Sequence, residues 1–313
     1  MITTGRYFIS KDWGTSKFRM RLIEPSNGVI IDEYSSDEGI GVLNQQFETD
    51  IAQQGRIFFF RRFIGKKLNE WAREGLEGIP ILISGMASST LGIEQLEYRA
   101  VPFNTEEHVP ELKLYPADDN CKHPIVLISG LKTVDDVMRG EETILMGLNR
   151  QELEFSNHII LPGTHSKHIT LKNGSIDSFQ TFLTGELFDL LSTKSVLTAS
   201  LENSIFDEDA FALGVREASS RSLLEGLFKA RTNDLFTILN KKQNFHWLSG
   251  LLIGSELESF KKVSSATLVS NPGLRKAYEF CLRLIQPSID LLVLEEESKL
   301  VAGHLAIYKR ISE

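Results

Sequence analysis

Two similar turns between apolar segments constrain the fold of this chain more than any other feature of its sequence. In the first, Asp12 lies just ahead of a Gly14-Thr15-Ser16 turn, and residues 17–22 then alternate charged and apolar side chains. A period of two is typical of a half-buried strand, so this region is predicted to form a β-hairpin. Its glycine, hydroxyls and amides could hold a metal-bound phosphate, although an ordinary turn with capping hydroxyls explains the same residues.

The same pattern recurs 149 residues later, where Gly163 and Thr164 lie between the apolar segments 159–161 and 169–171. The repeat predicts that each half of the chain opens with a hairpin carrying a Gly-Thr turn. Two such halves would grip a polyphosphate from both sides of a cleft. Chance similarity between two short hairpins is the alternative explanation.

The length of 313 residues is sufficient for two domains, each with its own core. A boundary is predicted near Asn149, which divides the chain into an N-terminal domain, 1–149, and a C-terminal domain, 150–313. The predicted helices include Phe47 to Glu74, 210–228, 235–240, 247–260 and a terminal helix that begins at Ala302.

Charge, cysteine content and hydropathy exclude several classes of protein. A formal net charge of −8 argues against a nucleic-acid surface. Cys121 and Cys281 have neither the spacing of a disulfide framework nor that of a metal site. No apolar run approaches the ~18 residues of a membrane span, and the N-terminus leads directly into a strand, so a cytoplasmic protein without membrane contact is expected.

Two further stretches are candidates for chemistry. The buried strand 79–83 leads into the small residues 84–89, which form either a substrate loop at a strand's carboxyl end or a capped helix start. Glu141 and Glu142 follow Gly140 at the predicted start of a helix. Adjacent acids suit a helix N-terminus, but one of them could also be a general base.

Six motifs occur in an order that resembles the 2-dehydro-3-deoxygalactonokinase family. The resemblance extends from residue 7 to about residue 257 and is weaker beyond it. The motifs are Asp12-Trp13-Gly14-Thr15, Ser84-Gly85-Met86, Met138-Arg139-Gly140-Glu141-Glu142-Thr143, Leu161-Pro162-Gly163-Thr164-His165-Ser166-Lys167, Thr184-Gly185-Glu186-Leu187 and Ser249-Gly250-Leu251-Leu252-Ile253-Gly254.

The resemblance implies an α/β fold of two ribonuclease-H-like, actin-like ATPase domains, with mixed sheets flanked by helices and a nucleotide cleft between them. It also implies that ATP and Mg²⁺ are used to phosphorylate the 6-hydroxyl of 2-dehydro-3-deoxy-D-galactonate, a small-molecule sugar acid. In-line transfer of the γ-phosphoryl group, with a glutamate as general base, is the implied chemistry.

The family motifs also imply a role for each matching residue. Glu141 would be the base, with Glu142 the less favoured choice, and Asp12 would hold Mg²⁺, through water. The phosphates would contact Gly14, Thr15, Ser16, Gly163, Thr164 and Lys167. The sugar acid would contact Gly85, Met86, Ser88, Ser89 and Arg139, and adenosine would lie near Gly250 and Asn271.

The sequence departs from the family pattern at several positions. Ile93 stands where the family usually has tryptophan after glycine, and Glu97 stands where it has proline before tyrosine. Lys11 occupies a commonly apolar position. Two alternatives are therefore a kinase of another sugar or sugar acid, and a non-catalytic sensor of nucleotide or sugar acid on the same fold.

Overall fold

A computed structural model of the protein describes residues 5–49, 55–71 and 76–312. The chain packs as two compact units, one formed by residues 1–149, 174–178 and 296–313, the other by 150–173 and 179–295. The predicted second domain, 150–313, therefore differs from the second unit, because segments 174–178 and 296–313 pack with the first.

The described strands and helices alternate along the chain. The strands are β1 (Phe8–Trp13), β2 (Phe18–Glu24), β3 (Val29–Ser36), β4 (Ile81–Gly85), β5 (Arg99–Ala100), β6 (Leu112–Tyr115), β7 (Ile125–Ile128), β8 (Leu131–Lys132), β9 (Val137–Met138), β10 (His158–Leu161), β11 (Ser166–Lys172), β12 (Ser175–Phe182), β13 (Ser265–Ser270) and β14 (Asp290–Glu295). The helices are α1 (Ile40–Thr49), α2 (Arg56–Trp71), α3 (Glu141–Met146), α4 (Arg150–Phe155), α5 (Thr184–Lys194), α6 (Glu208–Ser220), α7 (Leu223–Leu227), α8 (Lys229–Leu235), α9 (Lys241–Glu256), α10 (Pro272–Ile285) and α11 (Glu296–Ser312).

Both predicted hairpins are present, and the five strands of the second main sheet follow the same order as the first five of the first sheet. The first sheet has the order β3-β2-β1-β4-β7-β6 and the second has the order β12-β11-β10-β13-β14. In each, an antiparallel hairpin is followed by a parallel partner of its first strand, β1 with β4 and β10 with β13. The internal repeat inferred from the two turns therefore extends to the sheets that carry them.

The first hairpin is buried on both faces, whereas the alternating pattern predicts burial on one. Phe18 packs in the apolar core as predicted, but the Arg21 side chain on the opposite face is only 1% exposed. Helix α11 covers that face: Tyr308 stacks on Phe8 with ring centroids 4.7 Å apart, and Glu297 pairs with Arg21. A charged face of a strand is therefore buried where a charged helix covers it.

Several boundaries predicted from the sequence are wrong. The predicted helix from Phe47 to Glu74 is represented by α1 and α2; residues 50–54 and 72–75 lie outside the described part. Residues 236–239 form a turn rather than a helix, because Thr237 has a φ of 57° and the amides of Ile238 and Leu239 bond to the Asn233 carbonyl. Helix α11 begins at Glu296, six residues before the predicted start.

Lys11 lies in the aromatic core of the first unit. It is fully buried, and its Nζ is 4.0 Å from the ring centroid of Trp13 and 2.8 Å from that of Phe18. Among the described residues Nζ has no hydrogen-bond partner. Burial holds the pKa of Lys11 well below its ordinary value, with the neighbouring charge of Asp12 acting in the opposite direction.

Replacing Lys11 with Met is expected to raise the free energy of unfolding by about 1–3 kcal/mol near neutral pH, because an unpaired buried amine is replaced by an apolar chain of similar length. Below the ordinary lysine pKa the unfolded chain binds a proton that the folded chain does not, so Lys11 costs stability as pH falls. The increase in the free energy of unfolding that Lys11→Met brings should therefore shrink as the pH approaches about 10. Denaturant unfolding at several pH values measures it, with the exposed Lys122→Met as control. A Lys11→Met protein no more stable than the parent would contradict the expectation.

The second unit contains its own core and a close crossing of two helices. Ile160 of β10 and Leu268 of β13 are fully buried under α6, α9 and α10. Where α6 and α9 meet, a Cβ on Gly250 would lie 2.1 Å from the Phe211 carbonyl oxygen, and one on Gly214 would lie 2.0 Å from that of Trp247. Glycine at these two positions lets the helix backbones touch.

Candidate active site

In the first unit, the carboxyl ends of β1 and β4 lie side by side. Asp12 is in register with Ser84, and Trp13 with Gly85. Gly85 has a φ of 85°, and a Cβ there would lie 2.9 Å from the Trp13 carbonyl oxygen, so a side chain is excluded by both conformation and space. The strand packing thus brings the predicted metal ligand and the predicted substrate loop to one edge of the sheet.

Asp12 supplies a carboxylate to this edge. Its side chain is 26% exposed, and its Oδ2 lies 3.7 Å from Nη2 of Arg19 on the paired strand. In the part of the chain that the structure describes, no group of three or more His, Cys, Asp or Glu side chains could hold a metal ion. A single carboxylate nevertheless suits Mg²⁺, which keeps several waters and takes further ligands from phosphate.

The turn after Asp12 is held by the start of α1. The amide of Gly14 donates to the Lys17 carbonyl at 3.1 Å, and the Gly14 and Thr15 carbonyls accept from Ile40 and Gly41 at 3.0 Å each. Thr15 and Ser16 are exposed, so their hydroxyls are accessible to a ligand. The Gly14 amide, in contrast, is used inside the turn.

Arg139 braces the predicted substrate loop. Its guanidinium donates to the Ser88 carbonyl oxygen and, at 2.7 Å, to the Ser88 hydroxyl. It also lies 4.2 Å from the ring centroid of Tyr98. The Ser89 hydroxyl bonds to the Met86 carbonyl at 2.7 Å. These side chains shape the loop, whereas the sequence interpretation assigned them to direct contact with substrate; Tyr98 was not identified as part of the site.

Glu141 and Glu142 occupy different environments at the start of α3. Gly140, with a φ of 106°, places this start against β4, since a Cβ on it would lie 3.3 Å from the Gly85 Cα. Glu142 is fully buried and accepts the Gly140 amide at 2.6 Å. Burial, followed by the nearby charge of Glu141, raises the pKa of Glu142 to about 8. Glu141 is partly exposed and accepts the Arg139 amide at 2.8 Å, so it is the acid that a ligand can reach.

Helix α11 packs directly against α3. A Cβ on Gly303 would lie 1.8 Å from the Thr143 carbonyl oxygen, and one on Gly147 would lie 1.9 Å from that of Lys299. The two backbones are therefore in direct contact, and the position of the acidic pair depends on the last helix of the chain. The sequence offered only the two glycines as a signal for this contact.

In the second unit, the Gly163-Thr164 turn packs against the start of α5. The Glu186 amide donates to the Thr164 carbonyl at 2.9 Å, and a Cβ on Gly185 would lie 2.4 Å from the Gly163 carbonyl oxygen. Thr164 is exposed, but Lys167, predicted to contact phosphate, is 4% exposed and lies on β11. Its burial among the strands does not fit a phosphate contact.

A cavity of about 290 Å³ lies next to this turn, within the second unit. Its lining includes Gly163 and Gly185, the aromatic side chains of Phe206 and Phe245, and Gly273 and Leu274 from the first turn of α10. A mostly apolar cavity of this kind, next to a turn that is predicted to hold phosphate, suits a nucleoside.

The two residues predicted on the adenosine side have structural roles beside this cavity. Asn271 caps α10, and its Oδ1 accepts from the amides of Gly273 at 3.0 Å and Leu274 at 3.2 Å. Gly250 lies at the crossing of α6 and α9 and does not line the cavity. The helix crossing explains this glycine without a ligand, because a pair of glycines in an apolar helix serves helix packing as readily as ligand binding.

The departures from the family pattern at Ile93 and Glu97 also have defined places. Ile93 is 1% exposed and belongs to the core of the first unit. Glu97 is exposed, and Tyr98 beside it stacks with Arg139.

Within the described residues, no helix has the length and hydropathy needed to cross a membrane.

Comparison with known families decides the assignment of the chain. Residues 12–307 match the model of the family described as 2-keto-3-deoxy-galactonokinase. The chain belongs to this family. It is accordingly a sugar-acid kinase, a phosphotransferase that uses an alcohol group as acceptor.

Two curated relatives extend over most of the chain. A Rhizobium meliloti (strain 1021) protein named Probable 2-dehydro-3-deoxygalactonokinase DgoK1 is 31% identical over 298 residues, covering 90% of each chain. The 2-dehydro-3-deoxygalactonokinase of Escherichia coli (strain K12) is 30% identical over 285 residues, covering 88% of this chain and 89% of the relative.

Solved structures support the fold. A provisionally named 2-dehydro-3-deoxygalactonokinase from Sinorhizobium meliloti superposes with a TM-score of 0.82 at 28% identity, covering 97% of this chain and 96% of that one. Component A of the Acidaminococcus fermentans (R)-2-hydroxyglutaryl-CoA dehydratase has a TM-score of 0.50 at 12% identity, a likeness of fold alone. The predicted class, actin-like α/β domains with mixed sheets flanked by helices, is confirmed.

Proposed function

We propose that the protein transfers the γ-phosphoryl group of ATP to the 6-hydroxyl of 2-dehydro-3-deoxy-D-galactonate in a Mg²⁺-dependent reaction. The proposal rests on one observation in a member of this kinase family. Asp12, Gly85 and the helix start at Gly140-Glu141 lie together at one edge of the first sheet. The substrate named for the E. coli relative is the one proposed here.

In the first unit, Glu141 is the proposed general base. It is the partly exposed member of the acidic pair, and its carboxylate accepts a hydrogen bond from the Arg139 amide at the start of α3. A carboxylate placed there can accept the proton of the acceptor hydroxyl as the bond to phosphorus forms. The loop at Met86–Ser89, braced by Arg139, would position the sugar acid by its main chain.

Asp12 is the proposed Mg²⁺ ligand, and the hydroxyls of the exposed Thr15 and Ser16 are proposed to contact phosphate oxygens. When bound, Mg²⁺ supplies positive charge that offsets the charge of the phosphates. The single carboxylate at Asp12 matches an ion held mainly by water and phosphate.

In the second unit, the cavity beside the Gly163-Thr164 turn is the proposed nucleoside site. Its aromatic walls would contact the base, and the exposed Thr164 would contact phosphate. Phosphoryl transfer depends chiefly on alignment of donor and acceptor, for which fixed binding groups can contribute ~7–11 kcal/mol in favourable cases.

The proposal is tested by measuring ADP release with Mg²⁺ and ATP across a panel of 2-keto-3-deoxy sugar acids and ordinary sugars. Selective turnover of the galactonate-derived acid is the expected result. Selective turnover of another compound would refute the proposed substrate while leaving the kinase chemistry. Nucleotide binding without sugar-dependent ADP release would refute catalysis and favour the sensor.

A further inference from the structure

A series of hydrogen-bonded, buried polar side chains connects the Gly163-Thr164 turn to the core of the second unit. The Gly163 amide lies 3.3 Å from Oγ of Ser166, which lies 2.8 Å from Oη of Tyr278. That hydroxyl is 2.7 Å from Oε2 of Glu256, whose Oε1 is 2.9 Å from Nε2 of His168. We call this set the Glu256 network.

The network lies almost entirely out of water. Ser166 is 0% exposed, Tyr278 1%, Glu256 4% and His168 9%. A buried carboxylate destabilises a fold unless hydrogen bonds compensate its lost hydration, and a buried network can be replaced by apolar side chains at little cost. Fold stability alone therefore gives no reason for this arrangement, whereas a need to fix the turn would.

The donors of the network have one consistent direction. A carboxylate only accepts hydrogen bonds, so Tyr278 donates to Glu256. Burial, and then the charge of Glu256, raises the pKa of Tyr278, which keeps the proton on its hydroxyl. The Tyr278 oxygen then accepts from the Ser166 hydroxyl, and the Ser166 oxygen accepts from the Gly163 amide. The hydrogen bonds thus run in one direction from the Gly163 amide to Glu256.

Tyr278 also belongs to the cavity. It lines the 290 Å³ cavity together with Gly163 and Gly185, while its hydroxyl is part of the network. One residue therefore contacts both the proposed nucleoside site and the hydrogen bonds that orient the turn.

We propose that Glu256, Tyr278 and Ser166 are positioning residues, which hold the Gly163-Thr164 turn in the conformation that binds the phosphates of the nucleotide. This inference rests on the proposed function, because it takes the turn to be a polyphosphate site. It adds three residues that act through the turn and are not themselves ligands of phosphate.

Tyr278→Phe tests the proposal, since it removes the hydroxyl and keeps the ring in the cavity. We expect the affinity for ADP, measured by calorimetry, to fall about tenfold while the affinity for adenosine stays unchanged. The KM for ATP should rise by a similar factor and the KM for the sugar acid should not change. Ser166→Ala, a smaller change that also breaks the network, should reproduce the selective loss if the Tyr278 variant does not fold.

Tyr115→Phe is the matched control, because it breaks a tyrosine–carboxylate bond, to Glu94, in the first unit. It should leave both affinities at their parental values. Equal losses for ADP and adenosine in Tyr278→Phe, or unchanged ADP binding in both network variants, would overturn the positioning role. A parent protein that binds no ADP would instead refute the proposed function itself.

Discussion

Replacing Glu141 with Gln is expected to lower kcat by about 10²–10⁴-fold while the affinity for nucleotide stays unchanged. The amide has nearly the shape of the carboxylate and can still accept the Arg139 amide, but it cannot take the proton of the acceptor hydroxyl. ADP release under saturating substrates measures the loss, and calorimetry with ADP shows that the site is intact.

Glu142→Gln is the matched control one position along the chain. The Gln carbonyl can accept the Gly140 amide and its amino group can donate to the Thr143 hydroxyl, so the local hydrogen bonds are kept. Turnover should stay near the parental value. Loss of turnover in this variant, with retention in Glu141→Gln, would make the buried Glu142 the base and would require the start of α3 to open.

The same control has a pH-dependent effect on stability. The folded pKa of Glu142, about 8, is above its ordinary value, so its contribution to stability is full at acid pH and is lost as pH rises through about 8. Gln does not ionise, and Glu142→Gln should therefore be more stable than the parent above about pH 5, by on the order of 2–4 kcal/mol at pH 8. Denaturant unfolding at acid and alkaline pH measures this difference.

Local patterns were sufficient to predict the hairpins and the residues at their turns. Alternation from Lys17 to Leu22 and the Gly-Thr pairs are properties of neighbouring residues, and the strands that follow from them bring Asp12 to the end of β4. The acidic pair was also recognised from its place at a helix start.

Long-range packing set the limits of the prediction. The sequence of an amphipathic helix does not reveal which sheet the helix will cover. For this reason neither the packing of α11 with the first unit nor the burial of Arg21 beneath it could be predicted. The same limit explains Lys167, whose burial depends on the strands around β11, and Gly250, whose neighbour across the helix crossing is 39 positions away at Phe211.

The contacts that hold the two turns differ in how far the sequence reveals them. The Ser166–Tyr278 contact joins residues 112 positions apart, and the Tyr278–Glu256 contact joins two different helices. No local pattern marks these residues as a set. The first turn is held instead by the neighbouring start of α1, whose Ile40 and Gly41 amides bond to it.

Replacing Asp12 with Asn is expected to raise the Mg²⁺ concentration for half-maximal turnover at least about tenfold and to lower kcat about a hundredfold. A neutral amide holds a divalent cation, or its bound water, far more weakly than a carboxylate does. Because Asp12 also faces Arg19 at 3.7 Å, loss of that partly exposed ion pair should change the free energy of unfolding by less than about 1 kcal/mol.

Asp37→Asn supplies the control, since it makes the same change of charge at an exposed acid paired with Lys17 of the first turn. Its Mg²⁺ dependence should match that of the parent, and so should its Mg²⁺-dependent affinity for ADP, a readout independent of turnover. If Asp12→Asn also kept the parental Mg²⁺ dependence in both assays, the metal would have to be held by other residues. The edge formed by β1 and β4 would then bind the sugar acid alone.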